Sequence, residues 1–194
     1  MTEFYPQTLL DYAQIVGALA TSAAVIVSLY IANKKPKPVL GVNCDVRHIV
    51  WQHQRPSDRP KYLVISAVNT GNTDAIVTGV GWKLQSLFGK KRWAHQDVSV
   101  GDHIVRNPVL PFKVAHGETV QFFLPLQGQY NWTENLEGNG MFVERITTRG
   151  AFDDLRAVVF TSVGDPVMCK PTKSTLDMMW EHQQVCLQEQ SQLE

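Results

Sequence analysis

The sequence is poor in the features that most directly announce chemistry. It has three cysteines in 194 residues, Cys44, Cys169 and Cys186, widely separated and odd in number. A disulfide scaffold packs its cysteines far more densely, so that class is excluded. There is no GxSxG, GxxxxGK[ST] or HExxH, and no GxGxxG follows a strand. The common signatures of hydrolases, phosphate loops, zinc proteases and dinucleotide sites are thus missing. Neither sign of charge is in excess, with 18 basic side chains against 18 acidic and a pI near 7.0. Without a broad basic field the chain lacks the footprint of a general nucleic-acid binder, and no nucleic-acid partner is expected. No internal repeat or extended low-complexity tract is present.

Positive charge is also missing ahead of the first apolar run. The opening MTEFYPQTLLDY has no Lys or Arg and carries Glu3 and Asp11. A cleaved signal peptide begins with a positive flank, so an uncleaved segment is expected. Ile15 to Ala32 contains no charged side chain, and the NKKPKP that follows holds Lys34, Lys35 and Lys37. A span needs about 20 mostly apolar residues, and in hydrocarbon a single span must be helical to satisfy its backbone. Leu9 to Ala32 meets that length, with Tyr12 and Tyr30 near its two ends, where amphipathic rings favour the interface. Positive flanks stay cytoplasmic. The N-terminus is therefore expected outside and the soluble part in the cytoplasm, at the cell membrane (the inner membrane in a bacterium). Free thiols fit that compartment, and the sequon Asn131-Trp132-Thr133 would be idle there.

Small residues recur on the segment at four-residue spacing. Ala13, Gly17 and Thr21 form one line and Ala20, Ala24 and Ser28 another. Such lines let helix backbones approach closely. They are candidates for association with a second copy or with another membrane protein.

After Lys34–Pro38, a stiff basic linker held at the lipid surface, the hydrophobic period changes from helix to strand. Val42, Cys44, Val46 and Val50 alternate with polar residues, and KYLVISAVN (61–69) is apolar on both faces, as in a covered central strand. Ala75 to Leu84 places Ile76, Val80, Trp82 and Leu84 on one face, with Gly79 and Gly81 on the other where a neighbouring backbone packs closely. Thr119–Leu126 and Arg156–Val163 are strong strands, while Trp93–Val100 and the Pro111-interrupted Val109–Val114 are weaker. Tyr130–Thr148 fits either a short helix or a long crossover. Ser174-Thr175-Leu176-Asp177 has the form of a capping box. It opens a helix whose Leu176, Met179, Trp180 and Leu187 share a face, either packed on the domain or docking a partner.

The expected fold is mainly β: a single N-terminal transmembrane helix, an immunoglobulin-like β-sandwich and a C-terminal amphipathic helix. The boundaries are a tail at 1–8, the helix at 9–33, the linker at 34–38, the sandwich at 39–171, and the terminal helix and tail at 172–194. This layout resembles that of many bacterial proteins with one N-terminal span and a cytosolic sandwich, a likeness that does not assign function.

Candidate chemistry is sparse. Cys44, His48 and His53 do not share one face, and no fourth ligand accompanies them, so neither metal nor cofactor is expected. Gly138-Asn139-Gly140 reads as a turn. Asp153-Asp154, Glu134, Glu137 and Glu144 read as surface. Lys90, Lys91, Arg92 and Trp93 form a basic hairpin tip with an aromatic, suited to an anionic membrane surface. The leading expectation is a non-enzymatic, membrane-anchored interaction or scaffold module whose first partner is the lipid bilayer. The alternative is a sensor holding a small ligand in a cleft lined by Trp51, Trp82, Trp93 and Trp132. An enzyme with an unrecognised site is the third.

Overall fold

The computed structural model describes residues 6–33, 38–50, 55, 59–85, 91–99, 105–126, 132–133, 136–137 and 148–191. The chain divides into two compact units, Met1–Pro36 and Lys37–Glu194. The first is one helix, α1 (Pro6–Asn33). Pro6 suits its first position, where the missing amide hydrogen has no acceptor anyway. Leu10–Asn33, 24 residues, is long and apolar enough to cross a membrane and has no buried side chain. At ~1.5 Å per residue it reaches ~36 Å, against a hydrocarbon core of ~30 Å. Two of its hydroxyls bond within the helix: Thr21 donates to the Gly17 carbonyl and Ser22 to that of Ala18, both at 2.8 Å. A helix of this kind serves as a membrane anchor or as a signal sequence.

The second unit is mainly β. In chain order its strands are β1 (Leu40–His48), β2 (Lys61–Asn69), β3 (Ala75–Gln85), β4 (Lys91–Gln96), β5 (Phe112–Val114), β6 (Thr119–Pro125), β7 (Leu136–Glu137), β8 (Leu155–Thr161) and β9 (Val167–Cys169). They form two antiparallel sheets. One has the order β1-β2-β6; the other has the order β7-β4-β3-β8-β9, with β5 also paired to β3. Among the described residues the strands do not close into a barrel. Inward residues of both sheets meet in one buried cluster that includes Cys44, Leu63, Ile65 and Phe122 from the first and Val80, Trp82, Leu155 and Val159 from the second. Strand β2 is central in its sheet and buried along almost its whole length, which accounts for its apolar residues on both faces.

One side-chain assignment fails. Ile76 does not share a face with Val80, Trp82 and Leu84: it is 42% exposed, while Ala75 and Val77 are fully buried. The β3–β8 register slips between Val77 and Gly79. This β-bulge inserts one residue and reverses the parity of the strand, so odd positions face inward before it and even positions after it. At Gly81 an added Cβ would collide with the Ala94 carbonyl oxygen of β4, the close backbone approach that glycine permits.

Among the described residues two helices complete the unit, α2 (Arg149–Asp153) and α3 (Lys173–Ser191). The α3 cap lies two residues earlier than the capping-box reading placed it. Thr172 Oγ1 accepts from the Thr175 amide at 3.3 Å, satisfying one of the free amides of the first turn. Asp177 instead pairs with Arg149, which also reaches Asp153 at 3.4 Å and donates to the Leu176 carbonyl at 3.3 Å. Arg149 thereby ties α2 to α3. A run of rings, Trp82–Trp132–Phe152–Trp180, with centroids 5.1, 6.1 and 5.2 Å apart, connects the core of the larger sheet to α3.

Candidate functional site

The edge of β3 opposite β8 is shared by two strands. Its start, Ala75–Val77, pairs with β5, and Val80–Gln85 pairs with β4. Between them lie Thr78 and Gly79, the bulge, which neither partner covers. A cleft of about 670 Å³ opens at this fork, lined by Thr78, Gly79, His95, Asp97 and Ser99 on one side and Arg106 to Leu110 on the other. Bulges commonly sit beside functional sites because they re-aim side chains. Asn107 fixes the far wall. Its Oδ1 accepts from the Phe123 amide at 2.7 Å, and its Nδ2 donates to the carbonyls of Phe123 (3.0 Å) and Val98 (3.2 Å). One side chain thus replaces a missing strand along the free edge of β6. Asp97 is engaged by the amide and hydroxyl of Ser99 at 2.8 and 2.6 Å.

The cleft opens onto the outer face of the larger sheet. Strand alternation and register bring Lys83, Trp93, His95, Arg156, Phe160 and Met168 to that face. With no Cβ at Gly79, two rings come close over the strand: His95 stacks on Phe160 with centroids 4.5 Å apart, and Trp93 lies 6.0 Å from Phe160. Lys83 is only 8% exposed. Its Nζ sits 5.1 Å from the Trp93 ring centroid and 3.5 Å from the Met168 sulfur. Arg156 stands directly across from Lys83 and donates to the Leu155 carbonyl at 3.0 Å. Neither cation forms an ion pair among the described residues.

The residues singled out from sequence distribute as follows. Ala13, Gly17, Ala20, Thr21, Ala24 and Ser28 are all exposed on α1. Of the tip Lys90–Trp93, the described side chains are those of Arg92 and Trp93. Trp93 faces outward, but Arg92 pairs with Leu84 and has the parity of buried Ala94. Strand alternation therefore sets Arg92 and Trp93 on opposite faces of β4. Leu176 and Met179 are 2% and 0% exposed, and that burial removes both from the docking surface suggested for them, since the chain's own core uses them. Trp180 is half-buried against Phe152. Trp82 and Trp132 are buried in contact with each other, so neither lines the cleft. Lys34, Lys35, Lys37, Lys90, Trp51, His53, Asn131, Glu134, Gly138–Gly140 and Glu144 lie outside the described residues, as do the side chains of Lys91, Glu137, Cys186 and Leu187.

Cys44 and Cys169 both carry free thiols, on strands that pack beside each other. Burial, reinforced by Cys169 and Asp45, pushes the Cys44 thiol well above its ordinary range. Burial and Asp45 raise Cys169 to about 11, opposed by Arg156. Both are held as neutral thiols, the unreactive form. Cys44 is fully buried and His48 exposed. Among the described residues no group of three His, Cys, Asp or Glu side chains is arranged to hold a metal ion.

The cleft and the Lys83 face escaped the sequence reading because both depend on the bulge. The signal that was available is Gly79-Val80-Gly81 after the β-branched run Ile76–Thr78, which marked a close approach but not the ligand-sized gap beside it. No protein-family model matches the chain, and no curated protein sequence matches it.

Proposed function

We propose that the chain is a single-pass membrane protein whose β-rich unit works as a non-enzymatic binding module at the membrane surface. The observation that carries this reading is α1, where the predominantly apolar 24-residue segment Leu10–Asn33 has no buried side chain. A continuous apolar surface of that size is not left to water and marks a membrane or partner contact. Lys34, Lys35 and Lys37 follow it and no Lys or Arg precedes it, which supports an N-terminus outside and a cytoplasmic β unit. The core shared by both sheets supports reading them as a sandwich of immunoglobulin-like type. The small-residue lines on α1 support pairing with a second copy or another membrane helix. Trp93, with the neighbouring basic residues, suits contact with an anionic leaflet.

The test uses the full chain with a C-terminal epitope, expressed in bacterial inner membranes. The chain is expected to resist alkaline carbonate extraction at its full, uncleaved mass. Added protease is expected to remove the epitope in inside-out vesicles and spare it in right-side-out ones. Release by carbonate, loss of the first residues, or the opposite protease pattern overturns the reading.

A second reading, a ligand sensor, is favoured by one specific observation: the cleft beside the β3 bulge. Its polar lining includes His95, Asp97 and Arg106, and among the described residues no tryptophan lines it.

A further inference from the structure

We propose that the outer face of the larger sheet binds a nucleotide-like ligand, a planar ring joined to a phosphate. The ring would stack on the Trp93–His95–Phe160 surface and the phosphate would be held by Lys83 and Arg156. The inference does not rest on the membrane anchor.

Three observations carry it. The first is Lys83, more than nine-tenths buried and without a carboxylate partner among the described residues. Burying a cation without a counter-charge is costly. The second is Arg156, placed directly across from it. Like charges at facing positions repel, a cost that an anion bound between them would relieve, and Arg156 Nη1 meanwhile donates to the Leu155 and Asp153 carbonyls at 3.0 and 3.5 Å. The third is what covers Lys83. Met168 lies on the three-residue edge strand β9 and is 43% exposed, and its sulfur is a weak acceptor. An oxyanion that displaced this thioether would gain charge-assisted hydrogen bonds from both cations. The chain's neutral net charge excludes a broad basic field but not this local pair. Beside the pair, His95 and Phe160 stack on each other over Gly79, and Trp93, tilted 48° to Phe160, carries the Lys83 ammonium near one face of its ring. Flat aromatic surfaces next to cations are how proteins hold bases joined to phosphates. His95 belongs to both this face and the cleft, which leaves room for the rest of a ligand.

The experiment is isothermal titration calorimetry of the full chain in maltoside detergent, with AMP, adenosine and inorganic phosphate as separate probes. AMP is expected to bind, with adenosine and phosphate each at least tenfold weaker. Lys83→Met and Trp93→Leu should each weaken AMP at least tenfold. Lys83→Met keeps the side-chain volume while removing the charge. Should that variant fail to fold, Arg156→Gln must show the same loss. No heat with AMP at millimolar concentration, undiminished AMP binding by these variants, or phosphate binding as tightly as AMP overturns the proposal. So does displacement of AMP by phosphatidylglycerol mixed into the micelles, which would make the site a headgroup site.

Discussion

Asn69 shows how much of this fold hangs on single polar side chains. It is fully buried at the end of β2. Its Nδ2 donates to the carbonyls of Thr73 (2.8 Å) and Val114 (2.9 Å), and its Oδ1 accepts from the Gly71 amide at 3.0 Å. One amide group thus holds the 70–74 turn and fastens β5 beside β2, although those strands belong to different sheets. Alanine at 69 would remove three hydrogen bonds and strand buried backbone groups without partners. At roughly 1 kcal/mol per bond, with a further penalty for each orphaned group, Asn69→Ala should cost about 3 kcal/mol. Urea unfolding of the full chain in detergent checks this, with an unchanged midpoint as the contrary result. The composition of Thr70–Asp74 marks a turn in the sequence, but no local signal shows that its anchor reaches 45 residues ahead to Val114. Lys83 has the same character. Its neighbours in sequence say strand, and only the pairing with β4 and β8, with Met168 of β9 laid over it, reveals that its charge is enclosed.

At the scale of elements, legibility follows the range of the interaction. Strands β2, β6 and β8 were readable because their apolar runs are local and continuous. The face assignment along β3 was readable up to the bulge and inverted across it, because one inserted residue changes which parity faces inward. The α3 stripe was readable as amphipathic, yet periodicity cannot say whether the apolar side meets the chain's own core or a partner. Burial of Leu176 and Met179 assigns them to the core. For α1 the question remains a matter of partners, and it yields a prediction. Gly17 has open space around its Cβ position, so a larger side chain there leaves the helix itself unstrained. If the line Ala13–Gly17–Thr21 is a contact surface, Gly17→Ile should push two backbones apart and convert an associated species to monomer. Cross-linking in membranes and size-exclusion chromatography in maltoside read this. An equal shift from Ile26→Leu, away from the small-residue lines, would show that the contact does not follow them.

For the whole molecule, the two sheets come together at their edges as well as their faces, and the edge contact is chemically distinctive. β1 lies beside β9, bringing Cys44 and Cys169 into one desolvated region with Asp45 acting on both. A thiol whose pKa is raised by folding stays protonated in the native state after its unfolded counterpart has ionised. Between the ordinary value of 9.0 and the folded value of about 11 for Cys169, the unfolded chain therefore binds fewer protons than the native one. Stability must then fall as pH rises through that window, and it is unaffected by these thiols below it. The loss is borne by the junction of the two sheets, so it should appear as cooperative unfolding of the β unit rather than fraying of one strand. In a Cys186→Ser background, urea midpoints measured from pH 8.5 to 11 by near-ultraviolet circular dichroism should decline more steeply with native Cys44 and Cys169 than with Cys169→Ala. Comparing the two chains cancels the shared titration of tyrosines and lysines. Parallel declines would mean that Cys169 ionises as readily in the folded protein as in the unfolded chain, and that the β1–β9 junction does not exclude water.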